Sequence, residues 1–148
     1  MAIWQYRFVI VPKKALTLEK NKFQANSNDE FSDDEVFWLR SPVKVDVFDE
    51  VVNILPKGDS WSQNLIVFGN LESNCLEVYH ENDLVESASF RVDFRMDFKN
   101  ILDKVINFIQ LRHFSIIDED WKIVPDMHDI ENLIKNSPQF DFYKRLTR

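Results

Sequence analysis

The chain has 148 residues, 45% of them apolar and 14% aromatic, which suits one domain with a sizeable core and excludes disorder over most of the length. The formal charge of −7 has the wrong sign for a protein whose main partner is a phosphate backbone. A lone cysteine, Cys75, excludes a disulfide framework, and a chain with only Gly58 and Gly69 cannot build a glycine-rich phosphate loop.

The opening segment is apolar but interrupted by Gln5 and Arg7, with no basic stretch before it and no small-residue cleavage site after it. No run reaches the roughly 18 apolar residues of a spanning helix, so no membrane partner is expected and the cytoplasm is the default compartment. Residues 3–11 read as a strand with Trp4, Tyr6, Phe8 and Ile10 on one face and Val9 and Val11 on the other. A strand apolar on both faces belongs inside a sheet. Pro12 ends it.

Residues 13–35 are polar and poorly patterned, and read largely as loop. Val36-Phe37-Trp38-Leu39 is a short apolar run stopped by Pro42, read as a strand. Asp46 to Leu55 reads as a helix with Asp46 at the N-cap, Asp49 in the first turn and Phe48, Val51, Val52 and Leu55 on one face. Pro56-Lys57-Gly58-Asp59 closes it.

An antiparallel meander is expected next. Leu65-Ile66-Val67-Phe68 is continuous and apolar, as in a central strand, and Leu76 to His80 follows a turn at 70–74. Over 84–96, Ala88, Phe90, Val92, Phe94 and Met96 alternate with Ser87, Ser89, Arg91, Asp93 and Arg95, which places one face in the core and one in water. Asp97 then reads as an N-cap, with Met96 and Ile101 as a hydrophobic staple, and Phe98, Ile101, Leu102, Val105 and Ile109 form a helical stripe. Phe114–Ile117 and Trp121–Val124 read as strands.

Two short helices close the chain. Asp126 caps the first, with Met127, Ile130, Leu133 and Ile134 inward. Ser137 caps the second, with Pro138 at its first position and Phe140, Tyr143 and Leu146 docking it. Together these elements predict one α+β domain over 1–148, a mostly antiparallel sheet with helices packed on one face.

No catalytic constellation emerges. Cys75 enters a strand and reads as a buried filler. Ser60-Trp61-Ser62 lacks a nucleophile elbow, so the serines are expected to satisfy turn backbone while Trp61 plugs the end of the core. His80 beside Glu81 and the His128–Glu131 pair are chance pairings in an acid-rich chain, so neither metal nor cofactor is expected. Arg91-Val92-Asp93-Phe94-Arg95 reads either as a surface ladder of ion pairs or as a charged recognition platform.

The acidity is blocky. Residues 29–50 carry a net −6, residues 72–86 carry −5 with no base, and residues 118–131 carry −5. Such surfaces keep a protein soluble, and they also steer basic partners. Trp38 and Phe31 beside the first block offer aromatic anchors.

Four spaced features, Trp4-x-Tyr6-Arg7, Ser60-Trp61-Ser62 with the following strand and Gly69, Arg91-x-Asp93-x-Arg95 and Ser137-Pro138-Gln139-Phe140, resemble a group of small bacterial proteins with no established enzymatic activity. Size, acidity and layout also resemble the immunity proteins of bacterial toxin systems. The leading expectation is therefore a non-enzymatic binding protein of immunity type that occupies a basic protein partner through Asp33, Asp34, Glu35 and Trp38. The alternative is a small enzyme or ligand-binding domain with a pocket between sheet and helix around Trp61, Arg91, Asp93 and Arg95. A third reading is a homodimer joined through the exposed sheet face.

Overall fold

The computed structural model describes residues 1–16, 34–124 and 129–147. Its elements are β1 (Gln5–Pro12), α1 (Glu35–Arg40), a 3₁₀ helix (Val45–Asn53), β2 (Leu65–Gly69), β3 (Cys75–Glu81), β4 (Leu84–Asp93), α2 (Lys99–Leu111), β5 (Phe114–Ile117), α3 (Ile130–Lys135) and α4 (Pro138–Leu146). The five strands form one sheet in the order β2-β3-β4-β1-β5, with every neighbouring pair antiparallel. The fold is α+β, as the order of strand and helix patterns predicts.

β1 and β4 are the centre of the sheet. Phe8 lies opposite Phe90 and their rings stack at 5.0 Å. Tyr6, Phe8 and Ile10 join Ala88, Phe90 and Val92 in the main core, against side chains from the 3₁₀ helix, α2 and α3. An aromatic cluster fills the space between: Phe48 stacks on Phe114 at 5.5 Å, and Trp38 meets Phe114 edge-on at 5.4 Å. α4 docks through Phe140, whose ring meets Phe94 edge-on at 5.1 Å. Ser137 caps α4, accepting from Phe140 N at 3.1 Å, and Pro138 follows it as expected, whereas Leu146 faces solvent.

The second sheet face is not in water. Val9, Val11 and Ile117 form a smaller apolar cluster with Ala15, Leu16 and Phe37. Farther along that face Val67, Cys75, Glu77, Ser89 and Asp93 are all buried. This burial explains why Leu65–Phe68 is apolar without interruption although β2 is an edge strand, not a central one.

Both edges are covered by short segments. Gly69 N donates to Pro56 O at 2.6 Å and Gly58 N to Val67 O at 2.8 Å along β2. Val124 N donates to Ile116 O at 2.9 Å along β5. That segment, read as a strand over 121–124, makes only an isolated bridge, Ile123 to Ile117. These bonds occupy part of each edge ladder.

Three further local readings are corrected. Val36–Leu39 is helical, not extended: α1 straddles the end of the sheet, sending Phe37 to the second cluster and Trp38 to the main core. A four-residue apolar run cannot by itself distinguish the two. The helix over 46–55 is a 3₁₀ helix with Asp46 inside its first turn. Its apolar residues Phe48, Val51 and Ile54 recur at three, the period of that helix, which turns Val52 outward. Met96 is exposed and covers Ser73, its Sδ 3.4 Å from Ser73 Oγ, so no staple with Ile101 forms. The helix starts after Phe98, and Asp97 Oδ1 accepts from Lys99 N at 3.2 Å. Phe31, Asp33, Asp126, Met127 and His128 lie outside the described residues.

The chain's two glycines meet at the β2 edge. Gly69 has φ +87°, and a Cβ there would collide with the Asn74 carbonyl, while a Cβ on Gly58 would collide with the Gly69 carbonyl. Gly69→Ala and Gly58→Ala are each expected to cost about 1–3 kcal/mol, read as a lower urea midpoint at unchanged m.

Candidate functional site

Two polar assemblies compete for a functional role, and hydrogen-bond satisfaction separates them. The first surrounds Asp93, at the end of β4, which is 0% exposed. Its Oδ2 accepts from Ser73 Oγ at 2.7 Å and Arg95 Nη2 at 2.9 Å, and its Oδ1 accepts from Arg95 N at 2.8 Å. Asp93 N donates to Asn74 Oδ1 at 2.7 Å. Buried Gln5, opposite Asp93 on β1, donates through Nε2 to Leu71 O at 3.0 Å and Ser73 O at 2.6 Å. Trp4 Nε1 and Arg95 Nη2 both donate to Glu72 O, and the Arg95 guanidinium lies over the Trp4 ring at 4.1 Å. Arg91 pairs with buried Glu77 at 2.9 Å.

These contacts fasten the 70–74 turn to β1 and β4. Burial alone would raise the Asp93 pKa, but the hydrogen bonds from Arg95 and Ser73 outweigh it and hold the carboxyl below its usual range. Asp93 and Arg95 thus spend polar groups inside the fold, as does Arg91 through its bond to Glu77, although the buried Arg91 Nε meets no acceptor among the described residues. Trp61 does not join them. It is 71% exposed, does not plug the core, and packs edge-on against Tyr79. Tyr79 is four residues along β3 from Cys75, the partner of Arg91, or roughly 13 Å away. Ser60 and Ser62 serve the turn: Ser60 Oγ donates to Ser62 O at 2.8 Å and Ser62 Oγ accepts from Asn64 N at 3.2 Å. Burial pushes the Cys75 thiol up to about 11, which leaves no thiolate at neutral pH.

The second assembly is a cleft of about 230 Å³ between α1 and the β3–β4 hairpin, lined by Glu35, Trp38, Leu39, Pro42, Glu81, Asn82, Leu84, Val85 and Glu86. The hairpin builds it. His80 pairs with Val85 and Tyr79 with Ser87, so Glu86 is an extra residue with nothing opposite it. This bulge inverts the alternation of β4, sends Val85 into the core although Ala88, Phe90 and Val92 define that face, and releases Glu86 from the ladder. The tight turn uses Asn82 at φ 54°, a residue type that tolerates the left-handed region. The far wall is fixed where Val85 N donates to Val43 O at 3.0 Å and Val45 N to Asp83 O at 2.7 Å.

The cleft unites parts of two acidic blocks separated in the chain. Glu35 comes from the first, and Glu81 and Glu86 from the second. No basic residue is among its described lining residues. The Glu86 pKa is raised, by burial first and then by the neighbouring Glu81 carboxyl and the negative charge of Glu35. The contrast with the other cavities is informative. A larger one beside α2 contains Glu131, which is ion-paired with Lys135 at 2.8 Å and Lys99 at 3.6 Å and whose pKa is lowered. Another contains Glu50, paired with Arg112 at 2.6 Å and likewise lowered. Among the described residues no such ion pair reaches Glu81 or Glu86.

Of the residues singled out from the sequence, Glu35 and Trp38 line the cleft, Asp34 is buried at the N-cap position of α1, and Asp33 lies outside the described residues. Trp38 is 1% exposed, a wall rather than a protruding anchor, and its Nε1 hydrogen meets no acceptor among the described residues. Leu39 and Leu84 supply the accessible apolar surface at 70% and 47% exposure. Glu81 and Glu86 went unrecognised because the bulge that brings them together leaves no mark in the alternation of β4. A carboxyl pair also serves acid–base catalysis, but among the described residues no hydroxyl, thiol or cationic side chain lines this cleft. Among the described residues no group of three or more His, Cys, Asp and Glu is arranged to hold a metal, and no helix is long and apolar enough to cross a membrane. Comparison with known proteins finds no matching family model, curated protein or solved structure.

The structural role of Asp93 has a pH-dependent consequence. Its folded pKa is depressed, so its contribution is present above about pH 4 and is lost as pH falls through the folded value. Asp93→Asn is expected to destabilise the protein at pH 7 by roughly 1.5–3 kcal/mol in urea unfolding, and by less at about pH 3. An unchanged midpoint at pH 7 would show that the carboxylate does not hold the turn.

Proposed function

We propose that this chain is a non-enzymatic binding protein that occupies a basic protein partner, with the acidic cleft between α1 and the β3–β4 hairpin at the centre of the contact. The observation that carries the reading is that Glu81 and Glu86 flank an apolar cleft with no ion-pair partner among the described residues, whereas Glu50 and Glu131 in the other cavities are neutralised by neighbours. Uncompensated charge beside exposed Leu39 and Leu84 suits a cationic side chain whose aliphatic stem covers the leucines. Near a protein surface a charge pair at 4 Å interacts by about 4 kcal/mol before desolvation is subtracted, enough to orient a partner. A small acidic protein that covers a basic surface fits an immunity role, in which a toxin is silenced by occupation.

The test uses an immobilised peptide of alternating arginine and leucine. Retention of the wild type is expected to fall as salt rises from about 50 to about 500 mM. The double variant Glu81→Lys/Glu86→Lys is expected to lose about tenfold or more in affinity, and Glu50→Lys or Glu131→Lys, with half the charge change, less than about twofold. Comparable losses per charge reversed at all four positions would reduce the effect to net charge and remove the cleft from the reading.

A further inference from the structure

Glu119 lies outside both polar assemblies, in the turn that follows β5. Asp118 fixes that turn: its Oδ1 accepts from Asp120 N at 2.9 Å and from Lys122 N at 3.0 Å, and its N donates to Lys122 O at 2.9 Å. The β1–β5 register pairs Val9 with Ile117, so two residues on it sets Arg7 opposite Glu119. There the Glu119 side chain takes the place of the ladder, its Oε1 accepting from Arg7 N at 3.2 Å. Its other oxygen, Oε2, accepts from Gln139 Nε2 in the first turn of α4. One carboxyl therefore joins β1, the turn after β5 and α4.

Unlike α1, α2 and α3, α4 contributes no buried residue. It is seated by Phe140 and Tyr143, whose rings lie 5.1 and 5.8 Å from that of Phe94, and by the Glu119 carboxyl. One polar atom at this seat is unmet. The Gln139 amide oxygen, Oε1, is buried and has no donor among the described residues. An ionised carboxylate only accepts and cannot satisfy it, whereas a neutral carboxyl carries one O–H donor. A carboxylic acid and a primary amide pair by two parallel bonds, amide N–H to acid oxygen and acid O–H to amide oxygen. The first of these is already made here.

We propose that Glu119 is a proton-operated latch on α4: the neutral carboxyl closes the two-bond pair with Gln139 and keeps the helix seated on Phe94, and release of its proton to solvent breaks the second bond and lets the helix lift. Lifting uncovers Phe94, which is 8% exposed while α4 is seated, and turns that end of the core into an aromatic surface. The device is independent of the acidic cleft.

The groups around Glu119 set the direction. Burial raises its pKa first, and Asp120 adds to that; the hydrogen bonds from Arg7 and Gln139 and the charge of Arg7 oppose them, and the net shift is upward. Tyr6, from β1, is itself raised by burial and by Asp118, Glu119 and Asp120, so its hydroxyl stays neutral. On α4, Asp141 is paired with Arg145. Lifting returns Glu119 to water and to an ordinary glutamate pKa. The seated state therefore holds the proton more tightly, so seating is strongest below about pH 4, weakens as pH rises through the seated value and levels off above it.

The test is amide hydrogen exchange by NMR on the full chain between about pH 5 and 8, corrected for the intrinsic rate at each pH. Taking the ratio of α4 to α2 protection removes changes in global stability. The protection of Phe142 to Arg145 is expected to fall relative to that of Val105 and Phe108 as pH rises, by up to tenfold per pH unit, the limit for one proton, and then to level off. The Glu119 side-chain carboxyl resonance is expected to titrate over the same interval. Glu119→Gln keeps a donor and an acceptor toward Gln139 and has no proton to lose, so its α4 is expected to stay protected without a pH response. A wild-type ratio that is independent of pH, or that rises with pH, would overturn the latch, and so would an unchanged pH response in Glu119→Gln.

Discussion

The cleft depends on one extra residue in β4. Antiparallel pairing assigns every side chain to a face by strict alternation, and a single bulged residue reverses that assignment for everything beyond it. Here the reversal falls at Glu86. On one side of it Ala88, Phe90 and Val92 face the main core; on the other, Val85 does. Without the bulge Val85 would face away from the core and Leu84 into it. With it, Leu84 is left at the surface, Val85 closes the core beneath Val43, and a carboxyl that the ladder does not hold stands beside Glu81. Hairpin, cleft wall and acidic pair are consequences of one register shift.

Much of the fold was legible because it rests on periodicity. The alternation from Ala88 to Phe94 identified the core face of β4, the i, i+3, i+4 stripe identified α2, and Ser137-Pro138 identified the start of α4. The failures share a cause, which is that tertiary burial overrides local pattern. Val36–Leu39 reads as extended because four apolar residues fit both geometries; only a helix seated at the sheet end buries Phe37 and Trp38 in different clusters. Ser89 and Asp93 read as solvent-facing because they are polar, yet with Glu77 they lie on a covered face where hydrogen bonds and the Arg91 ion pair compensate the burial of Asp93 and Glu77. The candidate site was half legible. Block acidity pointed to Glu35 and its neighbourhood, but no sequence pattern announces which member of the second block the register will bring beside it.

The distinction between the two polar assemblies follows from how each meets its own demands. At Asp93 the hydroxyl of Ser73, the guanidinium and amide of Arg95 and the amide of Asn74 close a network in which donors meet acceptors, so the carboxyl is held ionised and the turn is held still. Such closure fits a structural role, since a ligand entering there would have to break bonds already made. At Glu81 and Glu86 the same functional group has no ion-pair partner among the described residues, and the Glu86 pKa is raised. Among the described residues arginine or lysine reaches Glu50, Glu77, Asp93, Glu131 and Asp141 but not this pair. Glu81 and Glu86 stand beside exposed Leu39 and Leu84, where a cation from outside could approach them without breaking an ion pair already made among the described residues.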